Sequence, residues 1–406
     1  MKPIIFHIDV NSAFLSWSAI ENLKNGSETD LRLIPSIIGG DMSRRHGVVL
    51  AKSLPAKAYG IKTGEPVVNA FRKCPSLVTL APDHTLYEKR SGELMAYLSS
   101  VCPDIEQVSI DECYMDFSPI SSRYPSPEAA AKEIKDCIRE KLGFTVNIGI
   151  SDRKVLAKMA SDFRKPDLVH TLYSHEIQAK MWNLPVSSLY MCGHSSVETL
   201  RKLEILTIGD LAKADPEILS YHLKSHGRLL WNYANGLDPS VVEPESSALK
   251  GIGNSITLSA DALTAQDCHH VLLKLADTVA ARLYASSQAA GMISTEIKYH
   301  TFQSISHQTT LETPVFAADL IYKTACLLFD EIWDKTPVRL LGIRTSKLVS
   351  RDEPVQLNLF DLTQANPRTE KEEKLDAALF NIRKKYGEHS VVRGSFLHAK
   401  DEFKKH

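Results

Sequence analysis

Apolar runs and the breaks between them divide the N-terminal part of the chain into strands and helices. Residues 4–9, "IIFHID", place Ile4, Ile5, Phe6 and Ile8 in a buried strand that ends on an acid, Asp9. "TLYEKRSGELMAYLSSV" (85–101) carries apolar residues at helical spacing and stops before Pro103. "EQVSIDECYMDFS" (106–118) is rich in strand formers yet holds Asp111 and Glu112 in its middle. "SPEAAAKEIKDCIREKLG" (126–143) predicts a helix capped by Ser126, with Pro127 in its first turn and Gly143 at its stop. "FTVNIGIS" (144–151) reads as a strand and "RKVLAKMASDFRK" (153–165) as a helix ending before Pro166. Strand, helix, strand, strand, helix, strand is the order of a ferredoxin-like α+β domain. The stretch 12–80 interrupts it as an insertion.

Residues 170–240 read as short helices, with "LRKLEILTIGDLAKADPEIL" broken by Gly209 and Pro216. From 250 to 350, strand patterns ("GMISTEIKYHTF", "PVRLLGIRTSKLV") mix with helical ones ("AQDCHHVLLKLADTVAARLYASS", "AADLIYKTACLLFDEIWDK"), which predicts a second α+β domain. The segment "DEPVQLNLFDLTQANP" follows, then an amphipathic helix, "TEKEEKLDAALFNIRKKYG", with a capping box from Thr369 to Glu372 and a stop at Gly387.

At 406 residues the chain is too long for one compact core, and about two to four domains are expected. Hydrophobic residues are 43% and charged residues 24%, as in ordinary globular proteins. A formal net charge of −1 means that any basic surface is local. No apolar run is long enough to span a membrane, and the first strand begins without a signal-peptide pattern. The 7 cysteines are scattered and never spaced as CxxC, which argues for reduced thiols in a cytoplasmic protein and against a disulfide framework or zinc site. The adjacent His269 and His270 lack a Cys or carboxylate at ligand spacing and read as a solvated pair.

Asp111 and Glu112 would point to opposite faces of one continuous strand. They converge if "QVSI" and "CYMDF" are two antiparallel strands with the acids at the tip, and a ferredoxin-like sheet sets the first strand, with Asp9, beside that hairpin. Three clustered carboxylates need a neutralising cation, and hard oxygen donors select Mg²⁺ or Mn²⁺. Two such ions a few ångströms apart serve phosphoryl transfer. The spacing alone also fits Asp9 as a helix cap and the other two acids as a plain turn.

Taken in order, the motifs resemble those of the Y-family (lesion-bypass) DNA polymerases, the DinB/UmuC superfamily. "HIDVNSAF" is similar to the first metal motif, "SIDECYMDFS" to the second, "VNIGISDRKVLAKMASDFRKP" to the third and "KGIGNSIT" to the start of the last domain; the resemblance covers about residues 1–360. It implies an α+β multidomain, right-hand polymerase fold. The ferredoxin-like palm would be 1–11 and 77–166, small fingers 12–76, a helical thumb 167–240, an α+β little finger 246–350, and a clamp-binding segment with a helical tail 351–406. It implies that Asp9 and Asp111 bridge two Mg²⁺ ions (Mn²⁺ substituting), that Glu112 completes the site near the primer 3′-hydroxyl, and that the carbonyl of Val10 is a further ligand. The amides of Ala13 and Phe14 would contact the triphosphate. Phe14 falls at the steric-gate position that rejects a ribose 2′-hydroxyl, and Lys165 matches the triphosphate-contacting lysine; on residues alone, Phe14 also reads as a core residue of a helix and Lys165 as a helix C-terminal cation.

The fingers depart from the DinB pattern: Ala51, Leu54 and Lys57 stand where Thr, Tyr and Arg are usual, and "DVN" with "AKA-G-KTGEP" is closer to the UmuC branch. Lys57 would remain as the fingers cation, a point charge in place of a bidentate guanidinium. In the thumb, "MCGHSSVETLRKLEILTIGDLA" is similar to a helix-hairpin-helix with Gly193 at the hairpin and Ser195 in place of its second glycine. Little-finger contacts to phosphate would come from Lys250, Lys298, Arg339 and Arg344. "QLNLF" is similar to the bacterial sliding-clamp motif, with Gln356, Leu357, Leu359 and Phe360 as the contacts to the clamp's β subunit. The resemblance implies a monomeric translesion polymerase of low fidelity and low processivity that adds dNTPs to primer-template DNA in damage tolerance. A catalytically impaired, clamp-bound accessory protein and a nucleotide cyclase on the same core are the alternatives.

Overall fold

The structure is a computed structural model that describes residues 3–40, 47–245 and 249–351, with positions 378, 382, 385–387, 390 and 391. The chain forms two compact units, Met1–Ser246 and Ser247–His406. The first opens with β1 (Ile5–Val10) and α1 (Ala13–Lys24). Next come β2 (Ser36–Gly39), β3 (Val49–Lys52), α2 (Leu54–Ala58), α3 (Val67–Lys73) and β4 (Val78–Leu80), whose strands form a small sheet in the order β3-β2-β4. The chain then returns through α4 (His84–Val101), β5 (Ile105–Gln107), β6 (Glu112–Asp116), α5 (Pro127–Leu142), β7 (Val146–Ser151), α6 (Lys154–Asp162) and β8 (Val169–Thr171).

The main sheet has the order β5-β6-β1-β7-β8, with β1 antiparallel to both β6 and β7, as the ferredoxin-like reading requires. Its two faces follow the period of two along the strands. Phe6, Ile8, Val10, Val146, Ile148 and Ile150 bury one face against Leu94 and Leu98 of α4 and Ile134 and Ile138 of α5. Helix α5 is bounded as expected: Ser126 accepts the Ala129 N–H, and Gly143 closes it at φ 82°. Helix α1 serves two cores, Trp17 and Ile20 packing on the main sheet, Leu15 and Ala19 on Leu31, Ile38 and Ala51 of the small one.

The other face of the main sheet, with His7, Asp9, Asn147 and Gly149, receives α6. A Cβ at Gly149 would lie 2.0 Å from the Ala157 carbonyl oxygen and 2.5 Å from the Ser161 nitrogen, so only glycine lets the helix lie this close. The opposite side of α6 gives Val155, Leu156 and Met159 to a helical core with Leu200, Leu211, Leu219 and Leu230. That core gathers α7 (Ile177–Lys180), α8 (His194–Lys202), α9 (Ile208–Lys213), α10 (Pro216–Leu223) and α11 (Ser225–Ala234). The segment after α11 then returns to α6. Asp238 Oδ2 accepts the Val155 N–H at 2.9 Å, and Lys154 Nζ bonds Glu106 and the Val241 carbonyl.

The second unit runs β9 (Gly251–Ala262), α12 (Ala265–Ala285), β10 (Gln288–Tyr299), β11 (Ser304–Val315), α13 (Ala318–Ile332) and β12 (Val338–Ser350), with sheet order β11-β10-β12-β9. Both helices cover one face, where Leu272, Leu275, Val279, Ile293, Phe329 and Leu341 form the core. The registers align Ser255, Gly342, Glu296 and Ser306 across the sheet, and Gly253, Arg344, Ser294 and Gln308 in the neighbouring row. All seven cysteines are free thiols. No helix among the described residues is long and apolar enough to cross a membrane. The QLNLF stretch lies outside the described residues, as does most of the expected C-terminal helix.

Gly149→Ala should lower unfolding stability by about 3 kcal/mol because helix backbone, not a movable side chain, meets the added methyl. Gly92→Ala, at an exposed position of α4 with nothing within 4 Å of its Cβ, should instead stabilise by about 0.5–1 kcal/mol. Urea denaturation of both variants distinguishes the two outcomes.

Candidate active site

Strand pairing brings the three acids to one end of the main sheet. Asp9 lies directly opposite Glu112, the first residue of β6. Residues 108–111 make the turn from β5: the Val108 and Ser109 N–H groups donate to the Glu112 carbonyl at 3.1 and 3.2 Å, and Ser109 Oγ donates to Asp111 Oδ1 at 2.7 Å. The Val10 N–H donates to the Asp111 carbonyl at 3.0 Å, which ties the end of β1 to this turn.

Two lysines from the α6 side hold this cluster together. Lys158 Nζ lies 2.6 Å from Glu112 Oε2 and 3.5 Å from Asp9 Oδ2. Lys165 Nζ lies 2.8 Å from Asp9 Oδ1 and 2.8 Å from Asp162 Oδ1. Burial disfavours both ammonium charges, but the surrounding carboxylates outweigh it and raise both pKa values. Buried His7 places Nε2 3.4 Å from Glu112 Oε2 and Nδ1 2.8 Å from Ser161 Oγ. Burial holds His7 below its usual pKa, so a neutral imidazole hydrogen-bonds the carboxylate. That bond, with Lys158, lowers the Glu112 pKa to about 2 against the cost of burial. Asp111 goes the other way: burial raises its pKa, the Ser109 bond opposes this, and the charges of Asp9 and Glu112 add to the rise.

Among the described residues, no three acid, His or Cys side chains are grouped so as to hold a metal ion. The donor set nevertheless fits a hard divalent cation. It is all oxygen, and the charges of Asp9 and Glu112 both act to raise the Asp111 pKa, although Lys158 and Lys165 already pair with two of the three acids.

Phe14, in the first turn of α1, stacks on Tyr87 with ring centroids 4.2 Å apart and planes 5° apart; the Tyr87 hydroxyl lies 3.0 Å from Ser18 Oγ. Ala13 opens the same helix, after Ser12 at φ 48°. Leu54 and Lys57 lie on α2, both exposed. Gly193 precedes α8, with nothing within 4 Å of a Cβ, whereas Gly209 is pressed against Trp182 inside α9 and so is a packing glycine. In the second unit Lys298 and Arg339 stand over the same ring, Phe302, at 5.5 and 4.8 Å. Arg344 and Lys250 are exposed. Lys158 and His7 were not singled out from sequence, although both carried a signal: Lys158 stands four residues before Asp162 on one helix, and His7 alternates with Asp9 on one strand.

Comparison with known proteins identifies the class. Residues 8–162 match the model of the impB/mucB/samB family, and residues 249–359 match that family's C-terminal domain. A protein named DNA polymerase IV from Clostridium acetobutylicum is 44% identical over 402 residues, 99% of this chain and 100% of that one. The Bacillus subtilis protein named DNA polymerase IV 1 is 36% identical over 99% of this chain and 94% of its own length. A solved Y-family DNA polymerase chimera, Dbh-Dpo4(243-245)-Dbh, matches with a TM-score of 0.74 at 22% identity, covering 86% of this chain and 99% of that one. The chain belongs to the impB/mucB/samB family, and its fold is that of a Y-family DNA polymerase.

A carboxylate whose folded pKa is depressed adds stability above its unfolded pKa, and that stability is lost as pH falls through the folded value. For Glu112 the window runs from about 4.5 down to about 2, and the contribution is roughly 2–3 kcal/mol. Glu112→Gln in metal-free buffer should flatten the acid limb of the pH–stability profile over that window; an unchanged limb would show that the His7 and Lys158 contacts do not stabilise the fold.

Proposed function

We propose that the chain is a template-directed DNA polymerase of the translesion type, which adds dNTPs to a primer 3′-hydroxyl. One observation carries the reading: Asp9 and Glu112 oppose each other on paired strands beside the turn that holds Asp111, with lysines as their counter-charges. The names of the full-length relatives support it. The carboxylates of Asp9, Asp111 and Glu112, with the Val10 carbonyl, would hold two Mg²⁺ or Mn²⁺ ions. When bound, such ions activate the attacking hydroxyl and stabilise charge on the leaving pyrophosphate. Lys165 contributes a cation toward that leaving group, as preorganised charge does in phosphoryl transfer. Lys57 and the Ala13 and Phe14 amides contact the triphosphate, and the Phe14 ring, backed by Tyr87, fills the space of a ribose 2′-hydroxyl.

Primer-template DNA is held by backbone amides near Gly193 and by Lys250, Lys298, Arg339 and Arg344. These few cations fit modest affinity and low processivity. QLNLF tethers the monomer to the sliding clamp through Gln356, Leu357, Leu359 and Phe360. With all three acids present, neither an impaired accessory role nor a cyclase is favoured.

Primer extension with Mg²⁺ on plain and lesion-bearing templates tests the main reading. Wild type should extend, and Asp111→Ala should lose at least about 10³-fold in rate, a ~4 kcal/mol rise in barrier; a wild type that does not extend refutes the proposal. Phe14→Ala should raise ribonucleotide incorporation, and unchanged sugar selection removes the gate role. Alanine at Gln356, Leu359 and Phe360 together should weaken clamp binding without slowing extension of short primers, whereas equal clamp affinity removes the tether.

A further inference from the structure

Two buried amides stand behind the acid cluster. Asn11 follows Asp9 by two positions on β1 and its turn, and Asn147 is the β7 partner of Asp9; they are 8% and 0% exposed. Asn147 Nδ2 donates to the Ser161 carbonyl at 3.0 Å and the Arg164 carbonyl at 2.7 Å. Asn147 Oδ1 accepts from Asn11 Nδ2 at 3.1 Å and from the Leu168 N–H at 3.3 Å. Asn11 Oδ1 accepts from the Asp167 N–H at 2.9 Å and from Thr145 Oγ1 at 3.0 Å. The two carbonyls demand the NH₂ side of Asn147, which turns its oxygen toward Asn11 and thereby orients both amides. Asn147 has both donors and both acceptor positions in use.

Every backbone group these two side chains bind lies between Ser161, in the last turn of α6, and Leu168, at the end of the irregular stretch that follows it. Such a stretch has no ladder of its own to satisfy buried polar groups, so side chains must do it. Lys165 sits in the middle of the stretch, held on either side at 164 and 167, with its ammonium 2.8 Å from Asp9. We propose that the Asn11–Asn147 pair is a positioning device for Lys165, fixing the distance of its ammonium from the acid cluster. Neither asparagine touches substrate. This inference rests on the reading of Lys165 as the triphosphate cation.

The test uses the full chain in two arms. In metal-free buffer, wild type, Asn147→Ala and Asn11→Ala are treated with acetic anhydride, and acetylation of Lys165 and Lys158 is followed by mass spectrometry. Lys165 should become several-fold more reactive relative to Lys158 once its contact with Asp9 loosens. If both lysines rise together or neither changes, the positioning role is overturned. Asn11→Ala carries this arm should Asn147→Ala fail to fold. In single-nucleotide insertion, either asparagine variant should lose about ten- to a hundredfold in kcat/KM, as a misplaced group does, with primer-template affinity unchanged. The same change should cost nothing further in a Lys165→Ala background. A fully additive loss overturns the proposal. If Lys165→Ala itself keeps wild-type kcat/KM while the acetylation arm behaves as expected, the reading of Lys165 as the triphosphate cation fails and the kinetic half of this inference fails with it.

Discussion

Like-charge repulsion among Asp9, Asp111 and Glu112 is the constraint around which the first unit is arranged. Carboxylates this close, at the end of a sheet whose far side is apolar, stay ionised only beside positive charge. Lys158 and Lys165 supply it, and both come from one helix and the stretch that follows it. Balance is uneven, since Glu112 is held strongly ionised while Asp111 is pushed toward protonation. Two of the three acids are thus paired with lysine in advance, and Asp111 is the one whose ionisation its neighbours oppose.

The position of α6 follows from that need. The missing side chain at Gly149 lets the helix lie against the sheet, so Lys158 and Ser161 reach the face where His7 and Glu112 stand. The same helix contributes on its outer side to the core formed with α7–α11. Any change that shifts α6 therefore acts on the acid cluster and on the packing of that helical core together. Phe14 is governed in a similar way from behind, by the Tyr87 stack and the Ser18 hydroxyl rather than by its own helix alone.

Much of this was legible before any coordinates. The strand and helix order of the palm followed from periodicity, caps and the stop at Gly143, because those are local signals. Asp9, Asp111 and Glu112 stood out because acids interrupt strand patterns. What stayed hidden depends on packing. Gly149 looked like any strand glycine until a helix backbone lay on it. Lys158 has an acid four residues on along its own helix, but its partners in the cluster come from β1 and β6, which no local pattern shows. The small sheet β3-β2-β4 was not legible because its strands are three or four residues long, too short to establish a period.

Helix α6 also lacks an N-cap side chain of its own. Arg153, at the cap position, makes no such bond, and the Val155 N–H is satisfied by Asp238, 83 residues further along the chain. Synthesis runs from the N-terminus, so the acids and their lysines leave the ribosome well before Asp238, the group that completes the helix carrying Lys158. Helix α6 is thus completed only when the segment around Asp238 folds back on it, and a chain truncated before that point carries Lys158 on a helix whose first turn is still open.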